Sequence, residues 1–346
     1  MHTVWYWIVV AMLTIYVVLD GFDIGAGIIH LMVARADEER RLVFAAIGPY
    51  WSGNEVFLVA TGGLLLFAFP RLYAVGLSGF YLPLMMVLWL LIFRGISIEF
   101  RNKESNELWR TFWDTVFSLA SLLLSMILGA ALGNVLRGVP IGTDGFFAGA
   151  LWTNFSPFGQ PGLLDWYSMS VGIFAALALA GHGALWVWWK TEGALSSRCY
   201  FAARLIWRVT ALFGIMVTAM TIAVREGLYE NLMSRPWSWP LAALVPLSFI
   251  ALFFGLSRRL ERFSFLASSL LLACLLLATA ALMFPNMLIS TVAANYTITA
   301  DNAAVPESSL KAGLVWWIAT MVLTALYFIN LFRVFRGKAK HDAYLH

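Results

Sequence analysis

Two aspartates, Asp20 and Asp23, stand three residues apart inside the first apolar stretch of the chain, in the run Tyr16-Val-Val-Leu-Asp-Gly-Phe-Asp-Ile-Gly-Ala-Gly. A carboxylate at bilayer depth costs at least about 2.5 to 3.5 kcal/mol on insertion scales, so a spanning segment that keeps two of them has a use for them. Three apart on a helix, they share a face, and Gly21, Gly25 and Gly27 allow another helix to approach closely. Two uses fit. The pair can form a proton-conducting or ion-pairing site against a neighbouring helix, or it can hydrogen-bond a kink at the glycines. Either way the carboxylates are expected to face protein.

Three more clusters offer polar chemistry near apolar segments. In Gly48-Pro-Tyr-Trp-Ser-Gly-Asn-Glu a Gly-Pro break precedes a helix with Asn54 and Glu55 in its first turn. Glu55 can serve as a cap favoured by the helix dipole or as polar lining, and Trp51 as an interfacial anchor. In Phe93-Arg-Gly-Ile-Ser-Ile-Glu-Phe-Arg, Arg94 lies about one turn inside the apolar segment that Glu99 closes. Arg94 can pair with Asp20, Asp23 or Asp114, or snorkel to lipid headgroups. Asp114 begins a later apolar run in the same way, and these residues together suggest a polar ring near one membrane face. His30 and His182 are the membrane-located histidines, and neither has a partner at i+3 or i+4 for a metal. Both read as hydrogen-bonded core residues, so no haem ligation by this chain is expected.

The elements that must position these groups follow from composition. Of 346 residues 61% are hydrophobic and 12% charged, and the mean hydropathy is +0.80. A soluble core with a polar surface does not give these values, so the chain is an all-α polytopic membrane protein. The net charge of +4 does not point to nucleic acid, because lysines and arginines cluster at the ends of apolar segments. Cys199 and Cys274 show no CxxC or Cys/His spacing and are expected to be buried thiols, with no disulfide or zinc site. Met1-His-Thr-Val lacks a basic n-region and the apolar run continues far beyond a signal sequence, so the first helix is expected to remain.

Nine spans are expected, at about 4–33, 53–69, 74–98, 108–136, 165–189, 202–224, 239–257, 263–288 and 311–334. With the N-terminus outside, alternation assigns 17 lysines and arginines to the inner side and 5 to the outer, with Arg208 inside span six. That asymmetry places the C-terminus in the cytoplasm. At a constant offset of 156 residues, Gly25, Gly27, Phe44, Ala46 and Trp51 meet Gly181, Gly183, Tyr200, Ala202 and Trp207. This suggests a parallel repeat within a single transmembrane domain over 1–346. It would comprise four-helix units at 1–137 and 165–288, followed by a ninth helix and cytoplasmic tail at 311–346. The stretch 137–164, with Pro140, Pro157 and Pro161, and the stretch 285–308, with Asn295, Asp301, Asn302 and Pro306, are expected to cap the outer face.

Several ordered motifs resemble subunit II of the cytochrome bd quinol oxidases. They are DGFDIGAG (Asp20 to Gly27), GPYWSGNEVFL (Gly48 to Leu58), SGFYLPL (Ser78 to Leu84) and FRGISIEFRNK (Phe93 to Lys103). GNVLRGVP (Gly133 to Pro140), GHGALW (Gly181 to Trp186), FPNMLIS (Phe284 to Ser290) and DNAAVPESSLK (Asp301 to Lys311) continue the set. The resemblance implies a nine-helix partner of a haem-bearing subunit I in a respiratory complex that oxidises quinol and reduces oxygen to water. Haem b, haem d and the quinol-oxidation site would belong to subunit I, and this chain would support assembly and possible proton or oxygen access. Small single-helix accessory subunits, lipid, a structural quinone and the cytoplasmic membrane of a bacterium or archaeon are implied in the same way. Asp23 matches an acid of the family's DGFD motif, Trp51, Asn54 and Glu55 match its WxGNE motif, and Glu99 falls where members often carry aspartate. One position departs: the usual WDGNE has become Trp51-Ser-Gly-Asn-Glu, so the acid credited with leading protons inward is Ser52. The expected polar entrance is therefore Asp20, Asp23, Ser52, Asn54, Glu55, Glu99 and Asp114, with Trp51 and Arg94 structural or ion-pairing. The competing reading of the intramembrane acids and the repeat is a proton-coupled transporter that works alone, and a third is a scaffold whose acids serve packing.

Overall fold

A computed structural model describes residues 1–154, 161–225 and 227–339. Pro157 and Lys340 lie outside the described residues. Among those described, nine helices are long and apolar enough to cross a membrane. Helix α1 (His2–Val33) ends where Ala34 turns extended, and the short α2 (Asp37–Ile47) opens on three consecutive acids that suit its N-terminal dipole. Glu39 of that turn accepts hydrogen bonds from the Arg35 and Ala36 backbone N–H groups. The Gly48-Pro49 break then allows α3 (Trp51–Ala68) to start afresh.

The expected third span, 74–98, is divided in the structure. Helix α4 (Pro70–Gly79) is separated from α5 (Tyr81–Phe100) at Phe80, whose φ of −97° and ψ of 22° lie outside the helical region. The Phe147 ring fills the space a Cβ on Gly79 would need. Apolar composition runs through the break, which is why it does not register in hydropathy. Helix α6 (Glu107–Arg137) is capped by Asn106, whose side chain accepts from Leu108 N at 2.8 Å, and stops at Gly138 with φ 96°.

Helix α7 (Trp166–Lys190) is capped by Asp165, which accepts from Ser168 N at 2.9 Å. Helix α8 (Gly193–Val224) begins nine residues before the expected sixth span, at Gly193 with φ 69°. Hydropathy locates the part of a helix that crosses lipid, and the polar turns of Ser196 and Arg198 extend the same helix beyond it. After α9 (Gly227–Met233) and a 3-10 turn at Pro236–Ser238 come α10 (Trp239–Ser257) and α11 (Glu261–Met283). The eighth span was expected to reach 288, but Pro285 follows the end of α11 and Asn286–Leu288 form strand β1. β1 pairs antiparallel with β2 (Ile298–Thr299), which leads into the single turn α12 (Ala300–Ala303) and then α13 (Glu307–Val334).

Helices α1 and α7 form the centre. Gly25 and Gly183 face each other so closely that a Cβ on either would overlap the other helix's backbone. Beside that crossing Phe22 stacks on Trp186 at 4.1 Å between centroids. α1 also packs on α3, α6 and α11, while α7 packs on α6, α8 and α11, and the pairs α5/α6 and α10/α11 flank this centre. α13 is the least enclosed, with Leu310 its buried residue. The two capping stretches are joined to each other, because Val139 N donates to Ile289 O and Thr291 N to Val139 O. Cys199 and Cys274 are free and buried.

Candidate functional site

Helices α1, α3 and α5 bring five of the expected residues into one buried cluster. Arg94 Nη2 donates to Asp20 Oδ1 at 2.7 Å, with both side chains fully buried. Glu55 Oε2 lies 3.6 Å from the same nitrogen and remains 22% exposed. Asn54 Nδ2 donates to Asp23 Oδ2 at 2.7 Å and to the Leu19 carbonyl at 3.2 Å. Of the expected partners for Arg94, the structure selects Asp20 and excludes snorkelling. The Trp51 ring packs beside Gly95, where even an added Cβ would make only ordinary contact at 3.4 Å, and so seats the start of α3 against the end of α5.

This cluster holds more hydrogen-bonding capacity than it uses. Asp20 Oδ2, Asp23 Oδ1, Asn54 Oδ1, Arg94 Nε, Arg94 Nη1 and the Tyr16 hydroxyl are buried with no hydrogen-bond partner among the described residues. Buried polar atoms are normally satisfied by protein or water, so a surplus concentrated on one face of α1 marks a hydrophilic site. Ser52 and Glu99 are both exposed, on the outer sides of α3 and α5, and do not join it.

Asp114 does not join it either, so the expected single ring is two separate networks. Asp114 accepts from His30 Nε2 at 2.8 Å, Arg40 Nη1 at 3.0 Å and Arg101 Nε at 2.9 Å, and is fully buried. Arg101 Nη2 also meets Asp37 Oδ1 at 2.6 Å, and Arg41 and Arg110 complete the surroundings of Asp37 at 2.9 and 3.1 Å. Burial raises the Asp37 carboxyl, but the hydrogen bond and charge of Arg101, with Arg41 and Arg110 beside it, hold it below its ordinary value. The network ties α1, α2, α5 and α6 together at one end of the bundle. Arg101 and Asp37 carry as much of it as Asp114, and their only sequence signal is opposite charge at neighbouring helix ends.

Lys190, at the end of α7, is a further residue that does not stand out in the sequence. Its ammonium donates to the Phe335 and Gly337 carbonyls at 2.8 and 3.2 Å and lies over the rings of Tyr50, Trp186 and Trp189. It fastens the end of α13 to the bundle.

A sequence profile of the family described as cytochrome bd terminal oxidase subunit II matches residues 1–335. The chain belongs to that family. Cytochrome bd-I ubiquinol oxidase subunit 2 of Escherichia coli K12 is 29% identical over 92% of this chain and 89% of that relative. Cytochrome bd ubiquinol oxidase subunit 2 of Bacillus subtilis is 28% identical over 99% and 97%. The fold matches a structure of bd oxidase from Geobacillus thermodenitrificans with a TM-score of 0.75 at 19% identity, covering 97% of this chain and 98% of that one. The protein is thus a multi-pass membrane subunit of a bd-type terminal oxidase.

The family implies haem in the complex, and the two histidines of the spanning helices, His30 and His182, do not fit it. His182 Nε2 donates to the Val18 carbonyl at 3.1 Å, Nδ1 meets the Ser268 hydroxyl at 2.7 Å, and the ring stacks on Phe265 at 4.7 Å. His30 is held by Asp114 between Phe44 and Phe117, with centroids 5.0 and 5.5 Å away. Both nitrogens of His182 are engaged, and His30 Nδ1, which has no partner among the described residues, belongs to a fully buried ring, so neither imidazole has an open face for a porphyrin.

Proposed function

We propose that this subunit pairs with a haem-bearing subunit I in a quinol-oxidising complex, and contributes a hydrophilic site on α1, α3 and α5 that carries protons or water toward the partner. The observation that carries this reading is the surplus of buried polar atoms around Asp20, Asp23, Asn54 and Arg94, next to the half-enclosed Glu55. Such atoms suit a file of water molecules, along which protons move between carboxylates. Ser52, at the exposed start of α3, can relay a proton through its hydroxyl but cannot hold the charge an aspartate would. Haem b, haem d and the quinol-oxidation site are assigned to the partner, consistent with the engaged nitrogens of His182 and the enclosed ring of His30.

The end that carries α2 is assigned to the cytoplasm, where the positive-inside rule places the arginine-rich turns, and the membrane is the bacterial or archaeal cytoplasmic membrane. The two units 1–137 and 165–288 are read as a parallel repeat. Its support is the pattern of packing: α1 with α3 and α6 is matched by α7 with α8 and α11, and α5/α6 by α10/α11. A structural quinone and single-helix accessory subunits remain part of the proposal through the family alone.

The second reading is a scaffold, favoured by the direct Arg94–Asp20 pair, which satisfies charge without any transport role. Asp23→Asn separates the two, because Asp23 touches Asn54 and no cation. Slower quinol-driven oxygen uptake with an altered pH profile, in a complex of normal subunit and haem content, supports the conducting site. Unchanged uptake supports the scaffold. A purified complex without b- or d-haem absorption and without quinol-dependent oxygen uptake would overturn the pairing itself.

A further inference from the structure

At the α2 end of the bundle, arginines divide into two populations. Those against α2 and Asp114 are paired: Arg40, Arg41, Arg101, Arg110 and, at the start of α8, Arg198 each meet Asp37, Glu39 or Asp114. Those farther along α8 and in the α10–α11 turn are not. Arg204, Arg208, Arg258, Arg259 and Arg262 make no ion pair among the described residues. The second set is left open to charge from outside the chain.

One of them, Arg259, lines a solvent-open cavity of about 600 Å³ between the α7–α8 turn, the α10–α11 turn and the chain after α13, and Arg204 lies against Tyr200 of its wall. Tyr200 forms its wall, and its hydroxyl donates to the Leu256 carbonyl at 3.1 Å, which fixes the ring. Two guanidiniums lie against that one ring, Arg259 at 5.1 Å and Arg204 at 5.5 Å from the centroid. Arg259 has φ 54°, the single non-glycine residue with positive φ among those described, in a position that glycine or asparagine would occupy with less strain. Backbone geometry therefore does not account for an arginine there, and its placement over Tyr200 does.

The remaining lining supplies both hydrogen-bonding groups and acids. Ser196, Ser197 and Thr191 offer hydroxyls. Glu261 is paired with Lys338 at 2.7 Å, which leaves Glu192 against Arg259, so the lining itself is charge-balanced and Arg204 beside Tyr200 tips the neighbourhood to positive. Beside the cavity, α8 exposes Phe201 and Leu205, α10 exposes Phe254, and α11 exposes Phe263. Two arginines on one tyrosine ring, beside a hydroxyl-lined cavity at the rim of an apolar helical surface, complement a molecule with an anionic head and hydrocarbon tails.

We propose that this cavity binds an anionic phospholipid, with the phosphodiester between Arg259 and Arg204 and the acyl chains along the exposed apolar faces of α8 and α10. The assignment depends on the chain spanning a membrane and not on the route protons take through the complex. The test is lipid retention by the purified oxidase complex, reconstituted in nanodiscs of phosphatidylglycerol or phosphatidylcholine, extracted with detergent and read by native mass spectrometry. The wild-type complex is expected to keep one phosphatidylglycerol through a wash that removes phosphatidylcholine. The double variant Arg204→Gln/Arg259→Asn, whose asparagine tolerates the positive φ, is expected to lose it while keeping subunit and haem content. Lys311→Gln, at the far end of the bundle, is the control and should retain it. Equal retention of both lipids, or by wild type and double variant alike, overturns the proposal. So does release of the lipid by millimolar inorganic phosphate, which would make the cavity a free-anion site.

Discussion

Arg94 Nη2 lies 2.7 Å from Asp20 Oδ1, and neither side chain has any surface exposure. The pair joins the last turns of α5 to the middle of α1, with Glu55 of α3 close to the same guanidinium. In a low-dielectric interior the two charges hold each other, and removing one strands the other.

Arg94→Gln is therefore expected to destabilise the subunit by about 3 to 5 kcal/mol, the range for an uncompensated buried charge. Thermal unfolding of the detergent-purified complex measures it. Asp20→Asn/Arg94→Gln, which removes both charges, should recover a large part of that loss. A double variant as unstable as the single one would show that the pair matters through shape and not through charge.

Glycine spacing at the α1/α7 crossing gives a sharper contrast. A Cβ on Gly25 would overlap the Leu179 carbonyl, whereas one on Gly62 of α3 meets nothing within 4 Å. Gly25→Ala should drive the two central helices apart and abolish accumulation of the assembled complex. Gly62→Ala is expected to be neutral or to stabilise by about 0.5 to 1 kcal/mol, because alanine restricts the unfolded chain. Immunoblots of membranes and melting curves distinguish the two.

Asp37 links stability to pH. Its folded-state pKa is lowered, so its contribution is complete above the ordinary carboxylate value and is lost as pH falls through the lowered one. Acidification below about pH 4 should therefore weaken the hold of Arg41, Arg101 and Arg110 on α2, since an unperturbed aspartate titrates near 3.9. Asp37→Asn should reduce the acid sensitivity of the melting temperature, which a pH series between 3 and 6 would read as a flatter curve.

Ser52→Asp restores an acid at the exposed start of α3. Because the position is exposed, stability should change by no more than about 0.5 kcal/mol. If protons reach the Glu55 and Asp23 region from this side, the pH dependence of oxygen uptake should shift in the variant. An unchanged profile would favour the scaffold reading.

The nine long apolar helices, the membrane setting and the family were legible in the sequence, because hydropathy is a property of composition and the motifs lie in order along the chain. Asp20 and Asp23 stood out for the same reason: a charge inside an apolar run is visible without coordinates. Partner choice was not legible. Asp20, Asp23 and Asp114 were equivalent candidates for Arg94 by charge and depth, and only the packing of α5 against α1 and α3 brings Asp20 within 2.7 Å and sends Asp114 to His30, Arg40 and Arg101. The break at Phe80 and the start of α8 at Gly193 were hidden because lipid contact and helix continuity are different properties, and hydropathy reads the first. Sequence determined which residues had to be sheltered from lipid. Tertiary structure decided which shelters which, since that depends on distances between residues tens of positions apart.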